Sequence, residues 1–326
     1  MTFALAKNDS ASLRLVFCGT PEFAVPSLKR LLAQPGLTIE AVVTQPDRPR
    51  GRGQEVASSP VKDVALDVGL HVYQPEKAKS DSAYDFFKRV APDVVVIIAY
   101  GQIIPARLIE IPRLGWINLH ASLLPKYRGA APINWAIVHG ETRSGLTTML
   151  IDPGLDSGPI LLQQEMDVGP DETAPQVAQR MSEAGAPLMV ETLHKLERGE
   201  ITPVPQDHEQ ATFAPLLKKE HGRIDWSHTA QHIYNRIRGL APWPGAYTTF
   251  RGQLCHVWGR PCEPPAGTLH PVTVGLIVQV GSQIFVVCGE GTWLRLDDLQ
   301  LEGRKRIPAR DWAHGAHLVP GEQFGS

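Results

Sequence analysis

Cysteine is scarce in this chain. Its 326 residues hold four, Cys18, Cys255, Cys262 and Cys288, and no pair of them is spaced like a zinc knuckle. The 12 histidines show no ligand-like pairing and the zincin His-Glu pattern is missing, so no metal centre is expected. Scattered thiols of this kind fit a reducing, cytoplasmic compartment better than a disulfide scaffold. Long apolar runs are missing too: nothing approaches the roughly 18 residues that span a bilayer, and no membrane role is expected. Residues 1–12 lack the apolar stretch of a secretory signal and carry Asp9, so they are expected to form a loose tail. Nor does one sign of charge dominate. With 32 Lys and Arg against 34 Asp and Glu the net charge is −2, and a nucleic-acid partner would have to be held by local basic patches.

Glycine is sparse where a dinucleotide site would need it. The first strand-to-helix turn reads Gly19-Thr20-Pro21-Glu22-Phe23, with one glycine and an acid that would repel phosphate, so a bound NAD or flavin is not expected. The P-loop lysine is absent as well.

What is present is an ordinary globular composition, 43% apolar and 20% charged, in a chain long enough for two domains. Short apolar runs at 13–17, 38–43, 71–73, 94–99, 116–120 and 147–151 read as strands. Helical spacing occupies 23–32, 61–68, 83–90, the stretch ending at Gly140, and 174–197. The run Val94-Val95-Val96-Ile97-Ile98-Ala99 is apolar at every position, as in strands buried on both faces of a helix-covered parallel sheet. The alternation predicts an α/β fold with a Rossmann-like open sheet over residues 13–200. Pro203, Pro205 and Pro215 among polar residues mark 201–215 as a linker. From 216 to 326, one amphipathic helix (229–238) and several short strands predict a small OB-like β-barrel.

The chemistry-bearing stretch is Asn118-Leu119-His120-Ala121-Ser122-Leu123-Leu124-Pro125-Lys126-Tyr127-Arg128. Alternation along a strand sends Asn118 and His120 to one face, at the carboxyl end where open α/β sheets place their sites. Two acids, Asp152 and Asp156, follow in a Gly-rich loop. A carboxylate beside the imidazole would orient it, and the Asn amide could donate to a developing oxyanion. With no obvious Ser or Cys nucleophile, the set suggests acyl transfer to a nucleophile brought by the substrate.

These residues resemble the folate-dependent formyltransferases, whose pattern is Asn-x-His, Ser-Leu-Leu-Pro and Asp-x-Gly; here Asn118/His120, Ser122 to Pro125 and Asp156/Gly158 match it. The likeness runs from about Leu13 to the C-terminus. It implies Asn118, His120 and Asp156 as catalytic residues, and Asp152 as a loop-capping residue. It also implies 10-formyltetrahydrofolate as co-substrate, held by Ser122, Leu123, Leu124 and Pro125 and by Ile98, Tyr100, Gly101, Gln102 and Ile103. Within the family the chain is most similar to members that act on an aminoacylated tRNA. Three stretches carry this: Thr44 to Gly53, Pro125 to Pro132, and Gly239-Leu240-Ala241-Pro242-Trp243-Pro244-Gly245. The acceptor implied is initiator methionyl-tRNA, and the state implied is a monomer. Arg48, Arg50 and Arg52, in what reads as a flexible loop, and the patch Arg304-Lys305-Arg306 are the expected phosphate contacts. From Leu216 onward, 12 Lys and Arg face 9 Asp and Glu, a mild excess that suits an RNA backbone. Members acting on small molecules such as sugar nucleotides share the Asn/His/Asp core, and only the arginine segment and the Trp243 region speak against them. A third reading, an RNA-binding protein with a dead transferase domain, is disfavoured because all three catalytic positions are filled.

Overall fold

The computed structural model describes residues 12–50, 55–266 and 273–325; the expected tail, apart from Ser12, lies outside them. Packing divides the chain into two compact units. The first comprises Met1–Gly129, Gly145–Met166 and Ala178–Phe213, and the second Ala130–Ser144, Asp167–Val177 and Ala214–Ser326.

The strands that build the first unit are β1 (Leu13–Gly19), β2 (Leu37–Val43), β3 (Arg48–Arg50), β4 (Glu55–Ala57), β5 (Val72–Tyr73), β6 (Val94–Ile98), β7 (Trp116–His120), β8 (Arg143–Leu150) and β9 (Ile160–Asp167). In chain order, helices α1 (Val25–Leu32), α2 (Pro60–Asp67), α3 (Asp81–Val90), α4 (Ala106–Ile109), α5 (Pro132–Val138) and α6 (Ala174–Glu197) alternate with them, α5 belonging to the second unit. Ser59 and Ser80 cap α2 and α3 by accepting the Lys62 and Ala83 amides, the role short hydroxyls play at helix starts. The seven-stranded sheet runs β5-β2-β1-β6-β7-β8-β9. From β5 to β7 every pairing is parallel, and β6 is buried along its whole length, as its unbroken apolar run predicts. The sheet is mixed, however, because β8 pairs with β7 antiparallel. The edge strand β9 was not expected: its middle, Gln163-Gln164-Glu165, is polar and largely solvent-facing, so it lacks the apolar signal of an inner strand.

The arginine segment is not an irregular loop. β3 and β4 form an antiparallel ribbon, with Arg48 opposite Ala57 and Arg50 opposite Glu55. Gln74 anchors its base by donating to the Gln45 carbonyl (2.8 Å) and to Asp47 (2.9 Å). Pairing satisfies the backbone whatever the side chains are, so a Pro- and Arg-rich composition conceals the strands. Arg52 lies outside the described residues.

The second unit holds α5, α7 (Ala230–Gly239), strands β10 (Tyr247–Phe250), β11 (Gln253–Cys262), β12 (Ile277–Val280), β13 (Gln283–Val287), β14 (Trp293–Leu301) and β15 (Ile307–Pro308), and α8 (Ala309–Gly315). Antiparallel pairing in the order β10-β11-β14-β13-β12, with β15 on β14, makes the small β domain that the short runs predict. Its core gathers Trp226, Ile233, Phe250, Val257, Val286, Leu294, Leu299 and Trp312. Among the described residues no helix is long and apolar enough to cross a membrane.

Candidate active site

β7 sets the site. Its register places Asn118 beside Ile97 of β6 and opposite Met149 of β8, and His120 opposite Thr147. His120 is buried and Asn118 half-buried. The His120 ring is held from both sides. Its Nε2 lies 2.9 Å from the Tyr127 carbonyl oxygen. A carbonyl can only accept, so Nε2 carries the proton and donates, which leaves Nδ1 as the atom facing the second partner. That partner is Asp156, whose Oδ2 stands 3.7 Å from Nδ1.

Asp156 comes from the loop joining β8 to β9 and has a left-handed backbone, φ 46°. Its Oδ2 accepts the Gly129 amide at 2.8 Å, which aims the carboxylate. Tyr127, whose carbonyl holds His120, is also left-handed, φ 60°. Two non-glycine residues in this region, both touching the His120 arrangement, mark a backbone bent to serve a site. Asp152 caps the loop instead, accepting the Gly154 amide (3.0 Å) and the Ser157 hydroxyl (2.9 Å). At Gly158 a Cβ would collide with the Leu150 carbonyl oxygen, so only glycine lets the loop pass.

The residues expected at the folate divide by what they can offer. Ile98 and Tyr100 are buried in the core, burial pushes the Tyr100 phenol above its ordinary range, and the Tyr100 carbonyl accepts the Thr20 hydroxyl (3.0 Å) and the Gln45 side-chain amide (3.1 Å). Gly101, φ 85°, turns the chain directly after them, and the Gln102 amide is engaged with the Ala78 N–H and the Pro75 carbonyl. Ile103 is 91% exposed, an apolar side chain left open beside this turn. In the other segment Leu124 is buried, with its amide donating to Thr147 and its carbonyl accepting Gln163, while Leu123 and Pro125 are half-buried. The Ser122 hydroxyl donates to the Lys126 carbonyl (2.6 Å), so it shapes the loop.

Of the expected phosphate contacts, Arg48 is exposed on β3. Arg304 and Lys305 are exposed between β14 and β15. Arg306 is tied down: it pairs with Asp298 and its guanidinium lies 4.1 Å from the centre of the Trp258 ring.

Arg306 and Trp258 line a cleft of about 660 Å³ wholly within the second unit, a feature the sequence reading did not foresee although it singled out the stretch around Trp243. Tyr234, Trp243 and His256 line it further. Trp243 is 56% exposed, unusual for so large an apolar ring. Arg260 pairs with Asp297 at 3.2 Å, Tyr234 donates to Asp171 at 2.7 Å, and burial moves the His256 imidazole toward its neutral form. Aromatic faces edged by paired charges suit a flat group with polar edges, such as a nucleobase. Among the described residues no group of three or more His, Cys, Asp or Glu could hold a metal ion.

Comparison with known proteins bears on the family. The formyl transferase family profile matches residues 13–193, and that of the formyl transferase C-terminal domain matches residues 216–317. A methionyl-tRNA formyltransferase of Solibacter usitatus is 51% identical over 313 residues, covering 96% of this chain and 99% of the relative. The enzyme of the same name from Acidobacterium capsulatum is 49% identical over 315 residues, covering 96% and 100%. Solved structures share the fold at lower identity. An N-formyltransferase from Helicobacter canadensis has a TM-score of 0.62 at 17% identity, over 86% of this chain and 98% of its own. HypX from Aquifex aeolicus, in complex with tetrahydrofolic acid, has a TM-score of 0.61 at 15% identity, over 93% and 47%. With its paired Asn118 and His120, its Asp156 loop and both family domains in place, the chain belongs to the formyltransferase family, in the group of the methionyl-tRNA formyltransferases.

Proposed function

We propose that this chain moves the formyl group of 10-formyltetrahydrofolate onto the α-amine of methionine esterified to initiator tRNA, supporting translation initiation in the cytoplasm. The observation that carries the chemistry is the approach of His120 Nδ1 to the Asp156 carboxylate at 3.7 Å, with Asn118 two residues earlier on the same strand. Identity near 50% over almost the whole length of the relatives supports the acceptor.

The neutral amine attacks the formyl carbon, and the carbonyl electron pair moves onto oxygen. The Asn118 amide donates to that oxygen as charge develops. Because Nε2–H is spent on the Tyr127 carbonyl, Nδ1 is the ring atom free to take the proton from the attacking nitrogen, with Asp156 beside it to balance the charge. The carbon–nitrogen bond to the donor then breaks, and the departing nitrogen takes the proton back. Formylated methionyl-tRNA and tetrahydrofolate leave, with atoms and protons balanced.

Ser122, Leu123, Leu124 and Pro125 flank the donor on this reading, together with the segment that holds Ile98, Tyr100, Gly101, Gln102 and Ile103. An exposed isoleucine beside a left-handed turn fits a flat heterocycle with an amide-like edge. Residues 13–200 carry the catalytic groups, and residues from 216 onward help hold the tRNA. Arg48, Arg50, Arg52, Arg304 and Lys305 serve its phosphates, Arg306 backs Trp258, and the cleft around Trp243 takes a base. All three catalytic residues come from one chain, so a monomer suffices.

The test offers the purified chain 10-formyltetrahydrofolate with either charged initiator tRNA or an amino-sugar nucleotide. Formylation of the tRNA alone is expected. Turnover of the sugar with an inert tRNA would leave the chemistry standing and remove the acceptor.

A further inference from the structure

The segment with linker composition, 201–215, does more than connect. Val204 exchanges two backbone hydrogen bonds with Ile160, at 2.8 and 2.9 Å. Thr212 holds the chain beside the catalytic histidine: its hydroxyl accepts the Tyr127 amide (2.8 Å) and its carbonyl accepts the Arg128 amide (2.8 Å). Between these anchors lies Gln206, 6% exposed. Its Nε2 donates to the carbonyls of both Asp156 (2.9 Å) and Gly158 (2.7 Å). Its Oε1 accepts Nε (3.1 Å) and Nη2 (2.7 Å) of Arg128, itself 5% exposed. The Arg128 Nη2 also meets His208 Nδ1 at 3.2 Å.

Every donor and acceptor of the Gln206 amide is therefore occupied. One end grips the turn that carries Asp156. The other grips the residue lying between Tyr127, whose carbonyl holds His120, and Gly129, whose amide holds Asp156. Two loops far apart in sequence, both with left-handed residues, are joined through one side chain. A buried and fully satisfied bridge of this kind fixes distances that the loops would not keep alone.

We propose that Gln206, oriented by Arg128, is a positioning residue for the reaction: it sets the approach of Asp156 to His120 and touches no substrate. The inference rests on the assignment of His120 and Asp156 as the catalytic pair. Gln206→Glu is the informative change. Glutamate has nearly the same shape and keeps an acceptor for Arg128, but it loses both N–H donors and turns an oxygen toward two carbonyls. The Asp156 turn should shift while the ion pair with Arg128 keeps the segment folded.

The experiment measures steady-state formylation of methionyl-tRNA by Gln206→Glu and Arg128→Lys over a range of pH, with folded fraction from circular dichroism. A displaced Asp156 should lower kcat per folded molecule by ~10- to 100-fold in Gln206→Glu, as small misplacements of reacting groups do. KM for methionyl-tRNA should stay within about twofold, and the pH dependence of kcat should be displaced. Arg128→Lys keeps the charge without the forked grip, so a smaller loss of the same kind is expected. A kcat per folded molecule equal to wild type in both variants, or a loss confined to KM with an unmoved pH profile, would overturn the proposal. Asp156→Asn run alongside separates the two ideas. If that variant turns over normally, the catalytic assignment itself fails; if it is inactive while Gln206→Glu is normal, only the positioning role fails.

Discussion

The His120–Asp156 cluster and the Trp243 cleft are built on opposite principles. In the first, side chains and turn are aimed by hydrogen bonds: His120 by Tyr127, Asp156 by Gly129, and the Asp156 turn by Gln206. In the second, a large ring stands 56% exposed, and the charges around it are neutralised by neighbours rather than pointed at a spot. Bond-making needs atoms placed within a fraction of an ångström, whereas stacking on a nucleobase tolerates sliding. The rigid region should therefore govern kcat and the exposed region KM.

Substitutions can break that division. The largest effect expected outside the His–Asp pair is at Asn118: Asn118→Ala should lower kcat by ~100-fold with little change in KM for tRNA, the loss typical of one oxyanion donor. A matching rise in KM would mean that Asn118 binds the ground state. Next comes Trp243→Ala, expected to raise KM for methionyl-tRNA by about tenfold, in keeping with one stacked base, while kcat holds. An unchanged KM would take the base out of the cleft. Arg48→Ala should be milder, with KM up by about twofold and the salt dependence of tRNA binding shallower by about one unit of slope. A slope that does not move would leave Arg48 as a solvated side chain.

The smallest effect concerns stability of the two units without cross-links. Burial pushes the thiols of Cys255 and Cys288 up to about 12 and raises that of Cys18 well above its ordinary value, while Cys262 is half-buried and also raised. At pH 8 the native chain should expose at most Cys262 to a thiol reagent, and all four cysteines after denaturation. Rapid reaction of the three buried thiols would show that their surroundings open easily.

Much of this was legible in the sequence, for reasons that differ by residue. Asn118 and His120 stand out because a strand's period of two puts them on one face, and β6 because it is apolar throughout. Asp156 was separable from Asp152 only through resemblance, since both are acids in one Gly-rich loop. Gln206 could not be read at all, and Arg128 was read only as part of the binding loop. Their roles rest on hydrogen bonds to backbone carbonyls and to each other across 78 positions, which leave no periodicity behind. The β3–β4 ribbon was hidden by its Arg, Pro and Gly content, and β15 and α8 by their shortness. Ile98 and Tyr100 were assigned to the donor as residues, yet both are buried in the core, and the exposed positions of that segment are Ala99, Gly101 and Ile103.

The most direct test of the account is single-turnover formylation of initiator methionyl-tRNA by the native chain and by Asp156→Asn, with tRNA and donor saturating. Replacing the carboxylate by an amide keeps the shape of the loop and removes the charge beside His120. The account predicts rapid formylation by the native chain and a rate lower by ~10² to 10⁴ in the variant, with tRNA binding nearly unchanged. Near-native turnover by Asp156→Asn would contradict it.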